Sequence, residues 1–554
     1  MKKKLSLMLA LVLVVSLFAG CGKTEAPKTD DKKQETTAEN KTDAKEDAKT
    51  ESGKEDSKQE EAASSLVSDT PKTFSIFLNF NNMPFNSDWM IWKEIAKETN
   101  VSLEGVISQS NANEEEAFSM MLASGKLADI IGYKNPADLE KLGRDGGLIP
   151  LNDLIKEHAP DLQKVLDNDA KFRSFATSLD GNIYFIPKNL TLKSAEFWWI
   201  RQDWLDKLNL QAPTTIDELY EVLTAFRNND PNGNGQKDEI PLFDRAAALH
   251  MQDEYLYLFD TSTEFYPHDG KITFEPLNKD DFVLGVKTLA KWYQEGLIDP
   301  EIFTRGAKSR DTLYAADQAG FTHDWPSTGD YNVKLADSVP GFNNVAIAPI
   351  KNQRGEMIER TTRYPVAGWG ISSQCKDPVT LIKFFNFFFT EKGSDMINFG
   401  VEGVTYTKEA DGRKVFTPLV MENEELTPLN YLRAQGIQYR IGMIQNPEYE
   451  IAFSTEAAKE AAQYYESHPE WFPQDLPPYN NGALNLKYTP EEETEYQNIM
   501  ANIKPYVSQM FQEWILGTKD IEESYDDFVK ELKNRKIDRA IEINQAAYET
   551  FLKR

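Results

Sequence analysis

Residues 230–239 read DPNGNGQKDE, with oxygen-bearing side chains at the first, third, fifth and ninth positions: Asp230, Asn232, Asn234 and Asp238. Gly235 takes the sixth position, where a calcium loop turns sharply, and the backbone carbonyl of Gln236 at the seventh adds a ligand. Hard oxygen donors at this spacing suit Ca2+ far better than Zn2+. The twelfth position departs from the pattern, being Pro241 and not Glu, so Glu239 is the candidate for the last, bidentate ligand. The metal-free alternative is a polar loop of Asx turns. With calcium bound, the expected role is a structural staple between two regular elements and not catalysis.

Cys21 carries a second chemistry. Lys2, Lys3 and Lys4 precede an apolar run over residues 5–19, and Phe18-Ala19-Gly20-Cys21 follows. This is the layout of a signal cut before a cysteine that then carries lipid. The run is short for a membrane span. The alternative is an ordinary secretory signal with an incidental cysteine. With lipid, the mature chain is tethered to the outer face of the cytoplasmic membrane. Residues 22–72 are Lys, Glu, Asp, Thr, Ser, Ala and Gln with almost nothing apolar, which predicts a disordered stalk. The stalk carries −4 and the signal +3, so of the −28 total the body keeps about −27. That charge argues against a nucleic-acid partner, which needs a basic face. It also favours a neutral ligand over a polyanion.

Signatures of catalysis are missing from the sequence. The five histidines, His158, His250, His268, His323 and His468, form no HExxH spacing. There is no GxSxG elbow and no phosphate-cradling glycine loop. Cys375 is the one cysteine besides Cys21, so no internal disulfide is expected. The expectation is a protein that is not an enzyme. A pair of carboxylates for glycoside hydrolysis stays open as the alternative.

The elements that position such residues begin at Thr73. Residues 73–80, 101–107 and 128–132 read as strands, and 88–99 and 113–124 as helices between them. This β-α-β-α-β order predicts a parallel sheet with ligands beyond the carboxyl ends of its strands. Asn79, Asn81, Asn82 and Tyr133 then lie near a site. Residues 196–201 read as a further strand, and Thr215 with Glu218 as a capping box. Two long helices are expected over 490–516 and 520–552. About 480 residues follow the stalk, too many for one core, so two lobes are expected.

Several segments together resemble the extracellular solute-binding proteins of carbohydrate ABC importers, in their lipoprotein-type branch. They are residues 180–187 (DGNIYFIP), 199–210 (WIRQDWLDKLNL), 213–226 (PTTIDELYEVLTAF), 296–301 (GLIDPE), 368–372 (GWGIS) and 400–406 (GVEGVTY). The loop at 230–239 is similar to the calcium loop of the alginate-binding members, early glutamate included. The resemblance implies an α/β, two-lobe periplasmic-binding-protein-like (type II) fold with a hinge and C-terminal helices. Its first lobe would take 73–188 and 369–430 and its second 189–368, with crossings near Lys188 and Trp369 and a helical segment over 431–554 of open assignment. It implies a monomer that closes around an oligosaccharide and presents it to the permease subunits. A surface sensor or adhesion protein without a permease is a further alternative. Sugar rings pack their C–H faces on aromatic side chains while polar groups bond the hydroxyls. Trp325, in the loop where relatives place a stacking aromatic, and Trp369, at the return crossing, are the expected platforms. Tyr133, Asn81, Arg363 and Glu402 are the expected polar or rim contacts. One of Trp198 and Trp199 is expected in the core, as are Trp92, Trp204, Trp292 and Trp514.

Overall fold

The computed structural model describes residues 66–80, 83–107, 113–190, 196–245, 255–359, 366–423, 425–437, 439, 441–472 and 486–553, all within the unit Ser64–Arg554. Cys21, Asn81, Asn82 and Arg363 lie outside the described residues, as do the signal and the stalk up to residue 65.

Ten strands form the two main sheets. In chain order they are β1 (Lys72–Phe77), β2 (Val101–Gly105), β3 (Ile130–Gly132), β4 (Ile186–Leu190), β5 (Phe197–Arg201), β6 (Ile240–Leu242), β7 (Ala319–Asp324), β8 (Asn344–Ile347), β9 (Val366–Ile371) and β10 (Met443–Gln445). The first sheet has the order β10-β4-β9-β3-β1-β2, the second β8-β5-β7-β6. β1, β2 and β3 pair in parallel, as the alternation of strand and helix patterns dictates. β9 runs antiparallel to both β3 and β4, because the chain enters it on returning from the second sheet. In the second sheet β5 is antiparallel to β7 and β8, and β7 is parallel to β6. The carboxyl ends of β1, β2, β3, β4 and β10 therefore share an edge with the amino end of β9. The carboxyl ends of β6, β7 and β8 share an edge with the amino end of β5. The chain leaves one edge and enters the other between β4 and β5, and again after Glu359, so these edges face each other across the lobes.

Local sequence sets the elements. Asn113 caps the helix Glu114–Ser124 by accepting from the Glu116 amide, and Glu114, Glu115 and Glu116 sit in its first turn, where the helix dipole favours them. Thr215 caps Ile216–Asn228 through the Glu218 amide at 3.2 Å. The capping box is altered: the Glu218 carboxylate takes the amide and hydroxyl of Thr214 at 2.8 and 2.7 Å. The strand expected over 73–80 ends at Phe77, and Asn79–Phe80 folds back on Met83–Pro84 as a short hairpin. The last expected helix is two, Ile521–Asn534 and Ile537–Phe551, broken where Lys536 adopts φ 68°.

Each lobe has its own core. Ile76, Leu78, Ile130, Trp369 and Phe385 belong to the first, and Ile200, Trp204, Phe226, Trp292 and Trp514 to the second. The C-terminal segment serves both: β10 joins the first sheet, while Pro490–Ile515 and the helices after it pack in the second core. Glu456–Glu466 covers the other face of the second sheet with Ala461 and Tyr465 against Phe197 and Trp199. All five residues of β5 are buried, so Trp198 and Trp199 are both core residues, one under each face. The expectation that a single one is core fails because this sheet is covered on both sides. The lobes also meet where Arg144, paired with Glu140 at 3.0 Å, reaches Glu493 near the start of Pro490–Ile515.

Candidate functional site

The edge of the second lobe is built around Asp324, the last residue of β7, which is 2% exposed. Its Oδ1 accepts from Arg245 Nε at 2.9 Å and its Oδ2 from Arg310 Nη1 at 3.0 Å. Arg310 also donates to Thr328 Oγ1 at 2.7 Å. Charge-assisted bonds to both oxygens hold the carboxylate rigidly. The amide of Trp325 donates to the same Oδ1 at 2.7 Å, and the Asp324 carbonyl accepts from Trp199 Nε1 at 3.0 Å. Trp325 is thereby fixed at the mouth of the edge with its side chain only partly buried. One residue before Asp324, His323 lies tilted against Trp198 and pairs with Glu359 at 3.2 Å, both nearly fully buried. Burial disfavours the imidazolium, but the Glu359 carboxylate outweighs it and raises the His323 pKa.

The first lobe's edge places the other expected residues differently. Trp369 is fully buried and stacks on Phe385 with centroids 4.4 Å apart. Its flanking glycines explain this. A side chain on Gly368 would meet the Ile186 carbonyl oxygen at 1.9 Å, and one on Gly370 the Tyr184 carbonyl oxygen at 2.4 Å. That face of β9 is pressed against neighbouring backbone, and the alternation of a strand sends Trp369 to the opposite, core face. Tyr133 lies beyond β3 but is 5% exposed and stacks on Phe118 at 3.9 Å. Burial, then the charges of Asp138, Glu114 and Glu115, push its hydroxyl pKa up to about 12. The platform expected at Trp369 and the rim contact expected at Tyr133 are thus core residues. Glu402 is exposed, on the turn after Glu391–Phe399. That helix ends near the edge, where Asn398 accepts from the Asn446 amide at 2.9 Å. The structure does not bring Glu402 into contact with Trp325.

Residues 230–239 connect Ile216–Asn228 to β6. Asp230 Oδ1 accepts from the amides of Gly233 and Asn234 at 2.9 and 3.0 Å, and Oδ2 from Gly235 at 2.9 Å. Gly235 turns there with φ 76°. Asn232 and Asn234 side chains reach Asp238 Oδ1 at 3.4 and 3.0 Å, and Gln318 bonds Oδ2 at 2.9 Å. Burial works against charge on Asp238, but the bonds from Gln318, Asn234 and Asn232 hold its pKa below the usual value. Glu239 is the exception. It is 3% exposed and both its side-chain oxygens are without a hydrogen-bond partner among the described residues. Burial, then the charges of Asp238 and Asp230, raise its pKa. A buried carboxylate whose burial and acidic neighbours outweigh the charge of Arg227 fits a hard cation. Among the described residues no cluster of three or more His, Cys, Asp or Glu side chains is arranged to hold a metal. This loop draws much of its donor set from Asn and backbone oxygens instead.

Sequence reading missed Arg245, Arg310 and Asp324. Arg245 stands 79 residues from Asp324 and Arg310 stands 14, so spacing gives no sign of the cluster. The available sign was the polar His323-Asp324 pair before Trp325 at the end of a buried strand.

A family model described as bacterial extracellular solute-binding protein matches residues 88–395, more than half of the chain. The fructooligosaccharide ABC transporter substrate-binding protein FusA of Streptococcus pneumoniae serotype 4 is 33% identical over 231 residues, 39% of this chain and 42% of that one. The polygalacturonan/rhamnogalacturonan-binding protein YtcQ of Bacillus subtilis is 26% identical over 344 residues, 59% of this chain and 64% of that one. The chain thus spans less than two thirds of the length of these relatives. Among solved structures, alginate-binding protein AlgQ2 without calcium ion superposes with a TM-score of 0.75 at 34% identity, over 88% of this chain and 99% of that one. FusA in complex with kestose superposes with a TM-score of 0.68 at 24% identity, over 87% and 99%, and shows the same two-lobe fold.

Proposed function

We propose a function that starts from one fact: the chain belongs to the bacterial extracellular solute-binding proteins. It captures an oligosaccharide between its two lobes and delivers it to the permease of an ABC importer. The observation that carries this reading is the edge-to-edge arrangement of the two sheets. The carboxyl ends of β6 and β7, with Trp325 and the Asp324 cluster, face the carboxyl ends of β1, β3 and β4 across the chain crossings. A hinge of this kind closes on a ligand placed between the lobes. The sugar-binding names of FusA, YtcQ and AlgQ2 support the ligand class. Trp325 supplies an aromatic face, Glu402 a polar contact at the rim, and Asn81 and Arg363 complete the set from outside the described residues.

Calcium staples the second lobe. Asp230, Asn232, Asn234, Asp238, Glu239 and the Gln236 carbonyl hold it, and the cation compensates the buried Glu239 charge. The lipidated Cys21 tethers the monomer to the outer face of the cytoplasmic membrane, and residues 22–65 serve as the stalk; the stalk expected to run to 72 ends earlier, because Val67 and Lys72 are hydrogen-bonded to Thr99 and Asn100 in the body. Small-angle scattering of the calcium-loaded protein tests capture. A bound oligosaccharide reduces the radius of gyration; binding with an unchanged radius would refute closure.

A further inference from the structure

Among the described residues, Arg245 has hydrogen-bonding capacity left unused. It follows the carboxyl end of β6, and its Nε donates to Asp324 Oδ1 at 2.9 Å. Its Nη nitrogens have no partner among the described residues, and its side chain is 34% exposed where Asp324 is 2% exposed. Arg310 holds the other oxygen of Asp324, so the carboxylate cannot swing, and Arg245 is oriented from behind. The Trp325 amide bonds that same Oδ1, so the Trp325 backbone and the Arg245 guanidinium share one carboxylate oxygen on this edge, and the Trp325 side chain is only partly buried. An aromatic face beside a fork of donors is the pairing that binds a sugar ring through its C–H face and neighbouring hydroxyls.

The surrounding charge selects among sugars. Arg245 and Arg310 share Asp324 between them, and Asp330 lies near Arg310 as well. Across the cleft, the end of β3 at Tyr133 is surrounded by Asp138, Glu114 and Glu115. Asp324 and Asp330 beside the two arginines, and the carboxylates around Tyr133, leave these two places without net positive charge for a sugar carboxylate, and burying one uncompensated is costly.

We propose that Arg245 is a ligand-contacting residue, oriented by Asp324, that donates to neighbouring hydroxyls of a neutral sugar unit packed on Trp325, and that the cleft prefers neutral oligosaccharides to uronates. This rests on the oligosaccharide reading above. The test is titration calorimetry of the calcium-loaded protein against kestose, nystose, maltotriose, xylotriose and mannotriose, and against trigalacturonic and trimannuronic acids. The wild type binds at least one neutral member, and more tightly than either acid. Arg245→Gln weakens that binding about 10- to 100-fold, the range for hydrogen bonds from a charged donor, while a cooperative melt of the ligand-free variant, at a lower temperature because Asp324 loses one of its two guanidinium partners, shows that it is folded. Arg245→Lys restores only part of it, since a point charge does not span two oxygens. Unchanged affinity in Arg245→Gln overturns the role of Arg245. Tighter binding of an acid overturns the preference for neutral sugars. No binding of any member by the wild type overturns the oligosaccharide reading, and this inference with it.

Discussion

Two carboxylate sites flank β6, a strand of three residues: Glu239 stands just before it and Arg245, with its partner Asp324, beyond its other end. Both carboxylates are almost fully buried. At Asp324 two guanidinium groups take both oxygens, and the edge is complete before any ligand arrives. At Glu239 neither oxygen has a hydrogen-bond partner among the described residues, and the neighbouring charges of Asp238 and Asp230 outweigh that of Arg227. The difference indicates what each site awaits. A compensated carboxylate organises donors for a neutral ligand, whereas an uncompensated one calls for a cation.

Opposite responses to the same mutation sharpen that contrast. Asp324→Asn leaves two arginines without their shared counter-charge. It should cost about 3 kcal/mol, the low end for breaking a buried pair because Arg245 is partly exposed; denaturant unfolding measures it. Glu239→Gln should do the reverse in calcium-free protein, raising the melting temperature by removing an uncompensated charge. The contrast breaks if both substitutions destabilise the calcium-free form.

Calcium itself gives an effect of similar size. At about 100 times its dissociation constant it should stabilise the wild type by about 2.7 kcal/mol through mass action. The stabilisation should vanish in Asp230→Asn/Glu239→Gln, as calorimetry with and without chelator would show. Trp325→Ala should cost about 2 kcal/mol of ligand binding, within the range for an aromatic anchor, with little change in stability. Trp369→Ala should instead cost about 3–5 kcal/mol of stability as a core truncation.

The smallest effect concerns pH. The folded-state pKa of His323 is raised, so its pairing with Glu359 contributes fully below the unfolded histidine value of about 6.5. The contribution is lost as pH rises through the folded value. The melting temperature should therefore fall over that rise, and His323→Gln should flatten the slope. An identical slope in the variant would remove His323 from the account.

Much of this was legible in the chain because it is local. The 2- and 3.6-residue periods mark β1 and the helices Met90–Thr99 and Glu114–Ser124, and the spacing from Asp230 to Asp238 marks the loop. Non-local packing was harder to read. Nothing near Lys536 announces the break between the last helices. Trp369 and Trp325 look alike as sequence, each beside glycine or polar neighbours. They differ because residues 184–187 press on the glycine face of β9 and turn Trp369 inward, while the Asp324 carboxylate holds the Trp325 backbone at the mouth of an edge. The partners of Asp324 are far from it in the chain, and topology alone brings them together.

Capture of an intact oligosaccharide is the central claim, and a thermal-shift screen at constant calcium tests it most directly. The protein without signal and stalk is heated with each member of a panel of neutral and acidic oligosaccharides, and the glycan is recovered afterwards. The account predicts that a neutral member raises the melting temperature and is recovered unchanged. No shift with any glycan, or a shift followed by cleavage of the glycan, would contradict it.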